Sequence, residues 1–363
     1  MLADQGPPSR TPRAASRVTL RDVAARAGVA MSTASLVYSG KKPVAAATAD
    51  KVRAAADELG YHGPDPVASS LRHGRSGVIG AVVPSRLIYA FRDPYAVLMF
   101  DGLAQVLGEL GSGLLLIPHS PEDDTAAPGA NLAVDAVVFM LCSLEEHPLV
   151  PELAARGIPM VATGSPVDPG VTQLRVDDRG ATAGLAQHLR DLGHEHVAHV
   201  LMPLGASSST RPTTRAEVEA STFPITRERA LGAMSVLGDL PMVVTAAADI
   251  EQGRLAADLL LQANPRPTAI IAQSDLLAVG VIRAAQARGL RVPEDLSVTG
   301  FDGVELPWLS HHLTTVDQHP VDKGRLAGDV VRRLLAGEVV EDMMLPADIR
   351  IGDTTAPPPT PAR

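Results

Sequence analysis

The stretch Arg21–Ser35, RDVAARAGVAMSTAS, decides how the N-terminal part of this chain is read. Two apolar-periodic segments meet at one glycine, Gly28. A helix has to stop where the chain turns sharply, and glycine takes the left-handed backbone of a helix C-cap without a steric penalty. The spacing predicts one helix over Leu20–Ala27 and a second over Met31–Tyr38. Thr19 is placed to cap the first, with Asp22 closing a capping box three residues on. A third helix is expected over Thr48–Leu59, with Val52, Ala55, Ala56 and Leu59 on one face and Gly60 as its stop. Two helices joined by a turn of three or four residues form a helix-turn-helix, which lays its second helix in the major groove of DNA. Ser32, Thr33 and Ser35 would then offer short hydroxyls to bases or phosphates. The same fifteen residues also fit a generic helical hairpin, so the surroundings have to decide.

The charge distribution supports a polyanionic partner. The 363 residues carry a formal net charge of −9. Residues 1–76 hold eleven Lys/Arg against six Asp/Glu, a net +5, which leaves −14 for the rest. A basic head on an acidic body implies that only the head meets nucleic acid, although charge alone also fits a solvated tail. Hydrophobic residues make up 45% and aromatics 3%, so a globular core of Ala, Val and Leu is expected. No run of about 18 apolar residues marks a membrane span, and MLADQGPPSRTPRAASR lacks the apolar segment of a signal peptide. One cysteine, Cys142, excludes a disulfide framework within the chain. Together these features lead us to expect a cytoplasmic, nucleoid-associated protein.

Residues 1–17, rich in Pro, Ser and Arg, read as a disordered arm, and 64–76 as a linker with one short helix. From Gly77 the pattern changes. Eight apolar runs (GVIGAVVP, GLLLIP, DAVVFML, IPMVAT, HVAHVLM, MVVTA, TAIIAQ and LSVTGF) alternate with helical stretches such as Tyr95–Leu110, Ala181–Leu192, Ile250–Ala263 and Asp275–Arg288. Continuous apolar strands between helices indicate parallel sheets covered on both faces. Eight are too many for one small sheet, so residues 77–352 are expected to form two doubly wound subdomains, which bind ligands at the carboxyl ends of their strands. Gly205–Thr222 reads as a polar loop and 353–363 as a disordered Pro-rich tail.

In family order, VTLRDVAARAGVAMSTASLVYSG, TADKVRAAADELGY, VASSLRHGRSGVIGAVVP, VDDRGA, HLRDLGHEHVAHV, RERALGAM, RPTAIIAQSDLLAVG, LRVPEDLSVTGFDG and HLTTVDQHP resemble the lactose-repressor/galactose-repressor family of bacterial transcription regulators, over about Val18–Gly352. The resemblance implies an all-α helix-turn-helix head, a hinge helix, and an α/β core like the periplasmic sugar-binding proteins. It also implies a homodimer on a pseudo-palindromic double-stranded DNA operator, controlled by a small effector such as a sugar, with no cofactor and no metal. By resemblance, Met31, Ser32 and Leu36 read bases, while Thr33, Ser35 and Ser39 touch phosphates or nearby bases, with Thr19 beside them. Leu71 would wedge into the minor groove, with Arg72 on a phosphate. In the core, Arg229, Asp302, Asp275, Gln318, Asp177 and Tyr95 are the effector candidates; Asp275 also fits helix capping, and Gln318 and Asp177 also fit structural roles.

Departures from the family pattern carry expectations of their own. Leu36 stands where the family has an arginine that reads guanine, so operator preference should change at that base. Ala30 and Ala45 replace capping serines. The connection 119–138 is short enough that an outer helix is expected to be truncated, and the loop 205–224 is long and close to Arg229 in sequence. The competing readings are a periplasmic-type binding protein without a DNA role, and an enzyme. No GxSxG, HExxH, CxxC or phosphate-loop pattern supports the enzyme. His188, His194, His196 and His199 form a local cluster, but they run from a helix end into a strand, an arrangement that argues for structure over metal.

Overall fold

The computed structural model describes residues 18–39, 42–63, 75–84, 87–119, 132–141, 144–205 and 209–359. The chain divides into two compact units, Met1–Ser76 and Gly77–Arg363.

In the first unit, α1 (Leu20–Ala27), α2 (Met31–Ser39) and α3 (Ala46–Leu59) close on a small core of Val23, Ala24, Ala34, Val52, Ala55 and Ala56. The capping box is present: the Thr19 amide donates to Asp22 Oδ2 at 2.8 Å, and the Asp22 amide donates to Thr19 Oγ1. Gly28 takes φ +67°, which turns the chain between α1 and α2. Ala45 caps α3 without a side-chain bond, as expected from the missing serine. Tyr38 and Tyr61 meet edge to face at 5.6 Å and seal one side.

The second unit holds two sheets. In the first, β12 (Met343–Leu345), β5 (Thr172–Val176), β4 (Met160–Ala162), β3 (Ala136–Phe139), β1 (Val78–Pro84) and β2 (Gly113–His119) run parallel in that order. Preceded by the single-turn α4 (Leu87–Ala90), α5 (Pro94–Leu110) packs with α12 (Pro320–Leu335) on this sheet. On its other side Val137, Phe139 and Met160 meet Leu149, Val150 and Leu153 of α6 (Leu149–Ala155). The second sheet runs β13 (Asp348–Arg350), β11 (Thr314–Asp317), β10 (Ser297–Asp302), β9 (Ala269–Ala272), β6 (Val197–Leu201), β8 (Met242–Val244) and β7 (Arg211–Thr213), antiparallel only at its two edges. The pair α10 (Ile250–Leu260) and α11 (Asp275–Ala287) covers one face. α7 (Asp178–Asp191) and α9 (Pro224–Leu237) cover the other. The chain passes between the sheets at 176–178, 317–320 and 345–348.

All eight apolar runs form strands. Two expectations need correcting. The stretch 205–222 is not all loop: β7 pairs with β8, and α8 (Arg215–Glu219) follows with its own capping box on Thr214 and Glu217. Nor are residues 353–359 a free tail. Thr354 is buried, its carbonyl accepts from the Val298 amide, and the Ala356 carbonyl accepts from His194 Nε2 at 2.9 Å. Three histidines of the local cluster are taken up structurally: His188 meets Thr355, His194 meets Thr268 and Ser297, and His199 is buried in β6, while the fourth, His196, is exposed. The arm (1–17), most of the hinge (64–74) with Leu71 and Arg72, Cys142, and the connection 120–131 lie outside the described residues.

Candidate DNA interface and effector cleft

On the head, α2 presents Met31 (58% exposed) and Ser32 outward, while Ala34 is buried and Val37 and Tyr38 pack into the core. Thr33, Ser35 and Leu36 are half-buried between these faces, and Ser39 ends the helix. Thr19 lies at the start of α1, its hydroxyl engaged with Asp22. The nine residues of α2 carry no charge, so attraction to phosphates has to come from its neighbours, such as the exposed Arg21.

In the core, the carboxyl ends of the strands bring a polar cluster together. Asp302 ends β10 with φ +149°, a strained setting for a residue with a side chain, and is 8% exposed. Its Oδ1 accepts from Gln318 Nε2 at 3.1 Å, and its Oδ2 from the Asp275 amide at 3.1 Å. Gln318 Oε1 accepts from the Tyr95 hydroxyl at 3.1 Å, and the Tyr95 oxygen accepts from Lys323 Nζ at 3.4 Å. This chain of donors joins α12 and α5, on the first sheet, to β10 in the second. Arg229 is 3% exposed on α9. Its Nε donates to Asp178 at 2.7 Å, its Nη1 donates to the Gln273 carbonyl at 2.6 Å, and the guanidinium stacks 3.5 Å over the Phe301 ring.

Asp275 stands behind the wall. It is fully buried; Thr315 Oγ1 donates to it at 2.6 Å and the Val304 amide at 2.9 Å, which fixes the turn after β10 that aims Asp302. A Cβ at residue 300 would lie 2.1 Å from Asp275 Oδ1, so the glycine of TGFDG makes room for this carboxylate. The capping of α11 falls to Ser274. Asp177 caps α7 through the Gly180 amide and is exposed; the next residue, Asp178, is the one that meets Arg229. Sequence reasoning missed Asp178, Lys323, Gln273 and Asp93. The last caps α5, and its proximity to Asp302 is a property of the fold. The signal for Lys323 was a lysine on the otherwise apolar, small-residue face of α12 with Gly324, Ala327 and Val331.

The electrostatics follow from burial. Asp302 is pushed well above the usual carboxylate range by desolvation and by the charges of Asp275 and Asp93, with Arg229 opposing. Burial raises Asp275 and Asp93 to about 6 each. His199, behind Arg229, is held neutral, pushed down to about 3 by burial and by that guanidinium. Among the described residues no group of three or more His, Cys, Asp or Glu converges as a metal site, and no helix is long and apolar enough to cross a membrane.

A helix-turn-helix unit and a two-sheet core with a polar cleft at its strand ends, carried in one chain, define a DNA-binding transcriptional regulator that answers to a small molecule. Residues 19–64 match the bacterial regulatory proteins of the lacI family, and 186–355 match the periplasmic binding protein-like domain. An HTH-type transcriptional regulator of Mycolicibacterium smegmatis is 36% identical over 365 residues, covering 96% of this chain and 99% of that protein. The transcriptional regulator CelR, solved with cellobiose, is 26% identical with a TM-score of 0.65, covering 93% of this chain and 100% of that one. The lac repressor dimer, solved on its operator with an anti-inducer, shares the fold at 24% identity and a TM-score of 0.73, covering 93% and 99%. The chain belongs to the lacI family of bacterial regulatory proteins, and the family match of the head sets aside a binding protein without a DNA role.

Proposed function

We propose that this protein is a homodimeric repressor that reads a pseudo-palindromic operator through α2 and is controlled by a neutral, polyhydroxylated effector, a sugar or related metabolite, held in the core cleft. Met31, Ser32 and Leu36 contact base edges, while Thr19, Thr33, Ser35 and Ser39 lie towards the backbone; Leu71 and Arg72 act at the operator centre. Asp302, Gln318, Tyr95 and Arg229 meet the effector, and Asp275 holds Asp302 in place. The observation that carries the reading is the Asp302 carboxylate, buried at a strand end between Gln318 and the Asp275 amide. A carboxylate so placed accepts from neighbouring hydroxyls of a ligand, and its acidic neighbours disfavour an anion beside it. Cellobiose on CelR is in keeping with this class.

The test has two arms. Selection from random duplexes should return a palindrome with half-sites about one helical turn apart. A thermal-shift screen with sugars, polyols and nucleosides should find a stabilising compound whose effect disappears in Asp302→Asn. Recovery of no duplex preference, with or without those compounds, would overturn the reading.

A further inference from the structure

The cleft wall is nearly closed to solvent: Tyr95, Arg229, Gln273, Asp302, Gln318 and Lys323 are each between 1 and 8% exposed. A ligand cannot reach them unless the two sheets part. The three passages of the chain between the sheets lie at 176–178, 317–320 and 345–348, and a further set of contacts bridges the two bodies elsewhere. The Glu145 amide, beyond β3 of the first sheet, donates to the Thr222 carbonyl at 3.0 Å, just before α9 of the second. Glu145 Oε2 accepts from Arg227 Nη1 at 3.3 Å, and the same nitrogen donates to the Ser221 carbonyl at 2.9 Å. Beside them Ile225 lies against Gly164, beyond β4: a Cβ there would sit 2.7 Å from Ile225 Cδ1.

From these contacts we infer that residues 221–227 are a latch on the effector cleft, closing onto Glu145 and Gly164 and opening whenever effector enters or leaves. Three features make it a latch. It is fixed to its own body: Ser221 Oγ donates to the Leu204 carbonyl at 2.8 Å, and the Thr226 carbonyl accepts from Gln273 Nε2 at 3.1 Å. It therefore travels with the second sheet as a rim and does not flap. Its grip on the first body is releasable, because the Arg227–Glu145 pair is part-exposed, at 23 and 45% of the side chains. It is also tied to the wall, because Arg227 and Arg229 lie two residues apart on α9, so a shift of that helix moves both.

The inference rests on the cleft being the effector site, but its test needs neither effector nor DNA. Phenylglyoxal labels guanidinium groups, and the rate at which Arg229 is labelled in the full chain, read by peptide sequencing, reports opening. Glu145→Gln, a change at a part-exposed position that should fold normally, is expected to raise that rate about two- to fivefold, the scale of a part-exposed ion pair. Gly164→Ala, which sets a methyl 2.7 Å from Ile225 Cδ1 and strains the φ +150° backbone at the same point, should raise it further. Labelling of Arg332, on the far side of α12, should not change in either variant. An unchanged Arg229 rate in Glu145→Gln, or an equal rise at Arg332, would overturn the latch. Failure to select a duplex would overturn the proposed function instead and leave this result readable.

Discussion

Asp302 is the residue where stability and function pull apart. Asp302, Asp275 and Asp93 hold protons more tightly in the folded chain than the ordinary carboxylate value of 3.8. Their contribution to stability is complete below that value and is lost as pH rises through the folded values, about 6 for Asp275 and Asp93. His147 and His199, pushed down to about 3, work in the opposite sense: their contribution is present above 6.5 and is lost as pH falls. Asp302→Asn removes this pH-dependent penalty and should therefore stabilise the protein at pH 7.5. The gain should shrink at pH 5, as urea unfolding at the two pH values will read. The same variant should lose its response to effector. On the head, Leu36→Arg supplies a bidentate donor that the native helix lacks. Selected operators should then shift towards guanine at one position per half-site, by about 1–3 kcal/mol in competition binding.

Among the elements, the termini of the head helices are the tunable parts. Gly28 turns the chain at φ +67° with open space around it, so Gly28→Ala meets no clash and costs only the backbone term, about 1–2 kcal/mol. Faster amide exchange in α1 and α2 of the full chain, with exchange in the core sheets unaltered, is the expected readout. Ala45→Ser should do the reverse at α3, adding about 1 kcal/mol by restoring the missing cap. These ends were legible in the sequence because Thr19, Gly28 and Gly60 are local signals. The buried strands were legible for the same reason, since a run such as AVVF or AIIA needs no partner to be recognised. What escaped was polar or lacked a continuous apolar run: β7, with the sequence RPT, reads as loop because an edge strand has no apolar alternation, β5 (TQLRV), β11 (TTVD) and β13 (DIR) are interrupted by polar residues, and β12 is only MML beside an acidic stretch. At the site, Asp302 and Arg229 could be found by motif. The partnership of Lys323 with Tyr95, 228 positions apart, exists only once α12 packs on α5.

For the whole molecule, the division of charge governs association. With net +5 on residues 1–76 and −14 on the remainder, operator binding should fall by about 10³-fold or more between 50 and 200 mM salt. Titrations at four salt concentrations give the slope directly, and a flat line would contradict the basic head. The order of the strands has a different consequence. The first sheet takes its edge strand β12 from Met343–Leu345, and the second takes β13 from Asp348–Arg350. On the ribosome, the head can finish its three helices early. Both halves of the body must wait with an unzipped margin until the same eight residues emerge, and for that interval the nascent chain depends on whatever shields bare strands from its neighbours.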